Sequence, residues 1–569
     1  MSNPSLFNDE TIERIKSAQK EWEEKNAEKF KCERKKEFLS TDGIPIKRIY
    51  TPADLKERNI DYLTELSFPG EYPFTRGPEP TMYRGRIYRI GQYAGASSVE
   101  ETNKLYTDLI AHGQEALHVA FDLPTKNGYD SDDSRAAADV GRAGIAIDSL
   151  EDMEILFDGI DLSQYPCTLV ITSAVGITLF AMLLATAEKQ GHSQAEIAGV
   201  MQNDVLTGYG ADGIYCFPPE AGMRLAIDIC TYCVKHLPNY DAFNICQYHW
   251  GELGANRIQQ VAWPLSFAIA YIEDALKRGL DIDDIGPKIR FLTYASCRDF
   301  LMEVAKARAM RRLYARIMKE RFGAKNPASC MLWAHHACGG IDMTKEPLEM
   351  NIVRGAIGTL VCALSGGRSV GGATYDEPLG IPSKKASITA IQTRYLIAHE
   401  SGVMDTVDPL AGSYYVEYFT SEIEERAAAL ISKIDEMGGA VEAIRTGYFQ
   451  HEAVKNAYEI EKRIESGELV KVGVNMFAEE KEERGDYYQP DVKVRERQST
   501  KLKALRQRRD NKKVKLALDE LKVCARKEAT SENNLVFPVL RAVKAYATVG
   551  EIRSALEEVF GYYPSPTSI

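Results

Sequence analysis

The runs IYRIGQYA (87–94), ALHVAFDL (116–123), GIAID (144–148), CTLVITS (167–173), FNICQYH (243–249), KIRFLTYA (288–295), CMLWAHH (330–336) and RSVGGAT (368–374) decide the fold. They are short and enriched in apolar, β-forming residues. Between them lie longer segments with apolar residues at helical spacing, such as LSFAIAYIEDALKRG (265–279) and DFLMEVAKARAMRRLYARIMKERF (299–322). Strand and helix alternating this often predict a parallel sheet with crossover helices. The number of runs, and their polar or aromatic ends, favour an α/β (β/α)8 TIM barrel over an open doubly wound sheet. Chemistry in such a barrel sits at the C-terminal strand ends, which makes Tyr93, Asp122, His249, Tyr294 and His335 candidates by position.

Outward from the barrel, residues 1–45 are dense in Lys and Glu, with Ile12, Ile15 and Trp22 at helical spacing, and read as an exposed helical arm. Residues 46–85 read as a linker and a ligand-binding loop, because EYPFTRGPEPTMYRG (71–85) is too rich in Pro and Gly for helix or central strand. The barrel itself is assigned to 86–470. Residues 471–569 read as a helical extension, whose stretch KVRERQSTKLKALRQRRDNKKVK (493–515) offers a basic face that is either solvated or paired with an acidic partner.

Seventy Lys and Arg against 82 Asp and Glu give a net charge of −12, which argues against nucleic acid or an anionic membrane surface as the main partner. The N-terminus lacks the pattern of a signal peptide, and no apolar run is long enough to span a bilayer. Eleven cysteines, an odd number scattered over a long chain, suit a reducing compartment, so the cytoplasm is expected.

Common catalytic signatures are absent: GxSxG, the Walker loop, HExxH and GxGxxG after a strand. Cys230 and Cys233 form a lone CxxC inside a helical pattern, which reads as buried thiols rather than a zinc site. His335, His336 and Cys338 are close in sequence, but adjacent strand residues face opposite sides and cannot share one metal. The glycines of SGGRSVGGATYDE (365–377) let a backbone approach a flat ligand closely.

Longer stretches then carry a resemblance. YPFTRGPEPTMYRGR (72–86), QYAGASSVEETNKLY (92–106), VAFDLPTKNGYDSDD (119–133), DVGRAGIAIDS (139–149), MQNDVL (201–206), LMEVAKARA (301–309), MKERFGAKNP (318–327) and DPLAGSYYVE (408–417) closely resemble the large chain of the methylmalonyl-CoA mutase family. The resemblance implies a barrel that threads coenzyme A along its axis, and a radical 1,2-shift of a thioester-bearing group with adenosylcobalamin as cofactor. It implies that Tyr93 and His249 are catalytic, Tyr93 facing the substrate and His249 donating to the thioester carbonyl. Substrate contacts fall on Tyr72, Thr75, Arg76, Thr81, Tyr83, Arg86, Arg89, His118, Asp212, Lys288 and Arg290, with Arg84 also offering a cation. Cofactor contacts fall on Ala120, Gly339, Arg368, Ala373 and Glu377, the last at the acidic residue that holds the adenosyl ribose. The cobalamin-binding signature DxHxxG does not occur in the chain, so a separate small cobalamin-binding subunit is expected, in a heterodimer or heterotetramer.

Several matching positions differ. Asp212 stands where members acting on methylmalonyl-CoA place an Arg on the free carboxylate, and an Asp in a low-dielectric pocket repels that group. Isobutyryl-type members have Gln there and Phe at the position of Tyr93. Gly91 replaces an Arg, His118 a Ser and Ala373 an Asn, and Lys288 and Arg290 replace Arg and Ser. Two readings follow. Either Asp212 accepts a hydrogen bond from a hydroxylated, amino-bearing or larger acyl group, the favoured reading, or Asp212 points to solvent and Arg368 or Arg290 takes over a carboxylate. A non-catalytic mutase-like binding subunit is the third expectation weighed.

Overall fold

The computed structural model describes residues 8–33, 35–95, 97–345, 347–478, 491 and 493–564. We number its barrel strands β1 (Arg89–Ile90, continued by Tyr93–Ala94), β2 (Leu117–Ala120), β3 (Cys167–Val170), β4 (Gly199–Met201), β5 (Tyr240–Asp241, continued by Phe243–Cys246), β6 (Ile289–Ala295), β7 (Ala334–Cys338) and β8 (Ser369–Gly372). Every neighbouring pair is parallel, and two strands that change partner part-way close the ring. The first half of β1 pairs with β8 (Arg89↔Ser369) and its second half with β2 (Tyr93↔His118). The first half of β5 pairs with β4 (Val200↔Asp241) and its second half with β6 (Phe243↔Ile289). A closed sheet leaves no edge strand to protect.

The return crossings are α1 (Val99–Ala111), α2 (Leu150–Leu156), α3 (Gly176–Lys189), α4 (Pro219–His236), α5 (Arg257–Lys277), α6 (Phe300–Arg316), α7 (Glu349–Leu364) and α8 (Lys384–Glu400). Two expected runs are corrected. GIAID (144–148) is not a strand: Ile145 makes one isolated bridge to Phe121 and extends the end of β2. The missing stave is β4, only three residues long and opened by a glycine, too short for a periodic signal. In CMLWAHH the strand begins at Ala334, so His335 lies near the N-terminal end of β7 and not at the chemical end of the barrel.

Along the strands, side chains facing the helices are sealed: Leu117, Val119, Cys167, Leu169, Ile289 and Phe291 are fully buried. Those between them, on the axis side, keep partial exposure at His118, Val170, Val200, Arg290, Leu292, His335 and Ser369. An ordinary barrel of this kind is filled by layers of bulky branched residues. Here solvent reaches positions in mid-strand, and His118, Arg290, His335, Ser369 and glycines share the axis with Val170, Val200 and Leu292. Gly91 and Gly371 make the room: a Cβ on either would lie 2.6 Å and 2.4 Å from the Nε2 atoms of His118 and His335.

The basic stretch 493–515 finds its acidic partners within the chain. Arg506 pairs with Asp130 and Asp132, Lys501 with Asp152 and Glu100, and Arg508 with Glu151. The tail helices are thereby clasped to the loop after β2 and to α2. The N-terminal helix Asp9–Phe30 buries only Ile12. Among the described residues no helix is long and apolar enough to cross a membrane.

Buried ion pairs lock α6 to the helix Tyr414–Glu436. The fully buried Arg308 bonds Glu417 at 2.6 Å and pairs with Asp408, and Arg312 bonds Glu424 at 2.5 Å. Removing one partner strands a buried charge. Arg308→Met should therefore lose about 3–5 kcal/mol of stability, read as a lower urea midpoint.

Candidate active site

The loops after β1 to β5 bring together a cluster at the C-terminal mouth. Tyr93 ends β1 and is 44% exposed. Lys126 lies in the short helix Leu123–Asn127 after β2, Thr172 follows β3, Asp212 follows the helix Val205–Gly210 after β4, and His249 lies in the helix Tyr248–Glu252 after β5. Asp212 Oδ1 is 2.7 Å from His249 Nδ1, an ion-pair contact rather than a linear hydrogen bond, and Asp212 Oδ2 accepts the Thr172 hydroxyl.

Asp204 fixes these two loops relative to each other. Its buried carboxylate accepts the Thr207 hydroxyl at 2.6 Å, Cys246 N at 2.8 Å and the Tyr271 hydroxyl at 2.8 Å, so one side chain ties the loop carrying Asp212 to the end of β5 that carries His249. Trp250 Nε1 adds a bond to Thr207 at 3.1 Å.

The charges of the cluster balance. Burial opposes charge on Asp212, but His249, Lys126 and Thr172 outweigh it and hold the carboxyl below its ordinary range. Burial likewise opposes charge on His249, yet Asp212 and Cys246 push its pKa well above the usual value. Tyr93, against burial and helped by Asp212 and Asp122, raises Lys126. Asp122, buried and lifted to about 6, is ionised at neutral pH. Two cations therefore face two carboxylates.

Asp212 is thus not turned to solvent, and its oxygens are already engaged. The inward polar group beside Tyr93 is His118, opposite it in register, whose imidazole burial and Arg394 keep neutral with a pKa of about 4. Its ring lies 4.9 Å from that of His335, which burial and His118 also keep neutral.

The N-terminal mouth is cationic. Arg89, Arg290 and Arg368 stand at the starts of β1, β6 and β8; burial, and then the other arginines, push Arg89 and Arg368 below the usual arginine range. Arg290 pairs with Asp241 at 2.9 Å. Neither Arg290 nor Arg368 can serve an acyl carboxylate near Tyr93, since β6 alone spans about 20 Å at its rise per residue. The expected cofactor set is divided in the same way: Ala120, Gly339, Ala373 and Glu377 follow their strands at the C-terminal mouth, whereas Arg368 precedes β8.

The loop 72–86 borders the N-terminal mouth, and most of its expected contacts are spent on structure. Arg76 bonds the Tyr62 hydroxyl at 2.9 Å and faces Asp408 at 3.4 Å. Thr75 is buried, donates to Glu65 O and accepts Arg311 Nη2 at 3.0 Å. Tyr83 bonds Gly367 O at 2.7 Å, and Tyr72 bonds Glu320 at 3.3 Å. Thr81, Arg84 and Arg86 are exposed. Lys288 is excluded as a free cation, because its ammonium donates to the carbonyls of Leu237, Pro238 and Tyr240 at 2.7–3.2 Å.

A second acidic group joins Glu377. Glu252 is one helical turn from His249, a spacing that puts both on one helix face. Gly340 lies between the carboxyls, its Cβ position 2.8 Å from Glu377 Oε1, and Glu252 Oε1 is buried without a partner. Burial lifts Glu252 above its ordinary range and Glu377 to about 7, the latter helped by Glu252. The unmet acceptor on Glu252, beside exposed Ile341, fits a ligand that carries hydroxyls. Among the described residues there is no cluster able to hold a metal ion.

Glu377 gives a pH test. Folding raises it from 4.5 to about 7, so between those values the folded chain keeps a proton that the unfolded chain has lost. Its contribution to stability therefore falls as pH rises through that window and stays low above it. Glu377→Gln should raise the melting temperature by roughly 1–2 °C at about pH 8 and leave it unchanged at about pH 5, by calorimetry.

Comparison with known proteins accounts for this arrangement. The family model for methylmalonyl-CoA mutase matches residues 39–562. The chain is 38% identical over 553 residues to the 2-hydroxyisobutanoyl-CoA mutase large subunit of Aquincola tertiaricarbonis, covering 96% of this chain and 97% of that protein. It is 40% identical to methylmalonyl-CoA mutases of Cereibacter sphaeroides and Homo sapiens, covering 91% of this chain and 72% and 68% of those proteins. The chain belongs to the methylmalonyl-CoA mutase family of cobalamin-dependent acyl-CoA isomerases.

Proposed function

We propose that this chain is the large subunit of an adenosylcobalamin-dependent mutase that rearranges the carbon skeleton of a hydroxylated acyl-CoA. The observation that carries the substrate class is the balanced cluster at the C-terminal mouth. With Asp212 in place of a cation, an added carboxylate would unbalance a buried set of two cations and two carboxylates, at a cost of several kcal/mol. A neutral hydroxyl carries no such cost and meets the neutral imidazole of His118 beside Tyr93.

The open axis accounts for the rest of the ligand. Three guanidiniums crowded at the N-terminal mouth, with exposed Arg84 and Arg86 nearby, suit the phosphates of coenzyme A. The pantetheine arm then runs past Ser369, His335 and His118 to bring the thioester to Tyr93 and His249. There His249 donates to the thioester carbonyl, and Tyr93 packs between substrate and cofactor. When bound, adenosylcobalamin supplies the radical that starts and ends the rearrangement. Glu377 and Glu252 hold its ribose hydroxyls, and Ala120, Gly339 and Ala373 leave room for it. The walls of the barrel keep water away from reactive species.

The corrin-carrying partner is a small cobalamin-binding subunit, in a heterodimer or heterotetramer. The exposed apolar groups around the mouth support this docking face: Tyr93, Leu123, Ile341, Val472 and Phe477, with Lys471 and Arg354 bonding Ile341 O and Val472 O. The relative from Aquincola tertiaricarbonis is itself named a large subunit.

Lys126 favours one other reading. It is a cation at the acyl end, and it replaces Arg290 and Arg368 as a partner for a relocated carboxylate of methylmalonyl or ethylmalonyl type. A panel of 2-hydroxyisobutyryl-, 3-hydroxybutyryl-, isobutyryl-, methylmalonyl- and ethylmalonyl-CoA, given to the complex reconstituted with a small cobalamin-binding subunit, separates the two. The hydroxylated thioesters should show at least about tenfold higher kcat/KM, equivalent to ~1.4 kcal/mol. A dicarboxylic preference that Lys126→Met abolishes would establish the second reading instead.

A further inference from the structure

We propose that Asp212 acts on the reaction through His249, gripping the imidazole by its Nδ1 edge so that the opposite edge meets the thioester carbonyl as a charged donor. This rests on the mutase reading above but not on the identity of the acyl group. Asp212 is a positioning residue in this scheme, and His249 the catalytic one.

The geometry points to this role. One Asp212 oxygen is 2.7 Å from His249 Nδ1, and the other takes the Thr172 hydroxyl, so the carboxylate is held from both sides. Asp204 anchors both supporting loops in turn. The His249 side chain keeps 23% exposure, which leaves part of the ring open to the mouth of the barrel. A cation at position 212 would disfavour charge on the neighbouring histidine. The Asp at this position reverses that bias.

Other groups near His249 bear on the same balance. Cys246, three residues earlier on β5, adds to the pull toward the charged imidazole. Tyr248 packs with its ring centroid 6.2 Å away, and burial keeps its phenol neutral. Lys126 approaches from the helix after β2, where the Tyr93 hydroxyl, Asp212 and Asp122 all favour its charge, and its pull on Asp212 is weaker than that of His249. Asp212 is the anion in direct contact. Hydrogen bonds from a charged donor are about twice as strong as neutral ones, and the gain is largest where charge builds on the thioester oxygen during the shift.

The test has a readout that does not depend on turnover. With 13C-labelled histidine, the His249 ring signal is identified among the nine histidines by its loss in His249→Gln. In the wild-type chain it should stay at the charged position from about pH 6 to 8, and in Asp212→Asn it should move to the neutral position within that range. In the reconstituted complex, Asp212→Asn should lower kcat by about tenfold near pH 7.5 with KM within about twofold, and the loss should shrink toward pH 6. Adding Asp212→Asn to His249→Gln should change kcat by less than about twofold, because the two substitutions remove one function. A His249 signal that titrates alike in wild type and Asp212→Asn would overturn the proposal. So would full additivity of the two substitutions. If no acyl-CoA in the panel is turned over, the mutase reading fails while the histidine titration still decides this one.

Discussion

A barrel that keeps its axis open forgoes the packing that normally holds such a barrel together, and this constraint governs the chain. Interiors at native density gain from dispersion contacts on every side, and inward-pointing Val, Ile and Leu usually supply them. Here the axis is lined by His118, Thr168, Val200, Leu292, His335 and Ser369, with glycine at 91 and 371. Polar groups and glycines among the aliphatic ones would suit the amide-bearing ligand of the function proposed above. They also leave the sheet to be stabilised from outside, by the helices and by whatever occupies the axis.

The two ends of the open axis differ in electrostatics, and the difference orients the ligand. Arginines at the N-terminal mouth repel one another until a polyanion arrives, so binding there relieves strain as well as adding contacts. At the other mouth the charges already cancel, through Asp212 with His249 and Asp122 with Lys126. An anion is drawn to one end and gains nothing at the other. On the function proposed above, a thioester with phosphates at its far end would thread in one direction only.

Most of the fold was legible in the sequence, because short apolar, β-rich runs bounded by amphipathic helices survive without tertiary information. β4 was not, since three residues opened by Gly199 carry no periodicity, and GIAID was mistaken for a stave because Ile145 and Ile147 are apolar for another reason, sealing the loop after β2. Tyr93, His118, Asp212, His249 and Glu377 could each be singled out from one position, but the sequence did not show that Asp212 spends its oxygens on His249 and Thr172 rather than on an acyl group or solvent. The site was illegible where meaning lies in pairing across strands. Lys126, Thr172 and Glu252 join the cluster only because the barrel brings successive loops together. Conversely Arg76 and Lys288 looked like free cations, until Tyr62 and Asp408, and three backbone carbonyls, were seen to occupy them. Only the spacing of Glu252 from His249 offered a local signal.

Positional specificity that the axis does not provide is found on α6. This helix buries Lys306, Arg308, Arg311 and Arg312, an arrangement that an ordinary amphipathic helix avoids. Lys306 reaches Glu303, Gln260 and the carbonyl of Tyr294 at the end of β6, while Arg311 reaches the carbonyls of Thr75 and Ser365 at the opposite mouth. Arg308 and Arg312 tie the same helix outward to Glu417 and Glu424. Buried pairs of this kind add little net stability over an apolar core, but they are directional, and a misplaced partner is costly. Apolar packing alone would let a hollow barrel collapse toward its axis. Charged groups that must meet carbonyls at both mouths fix the position of α6 along the barrel wall, so the helix cannot slide relative to β6 without stranding a buried charge.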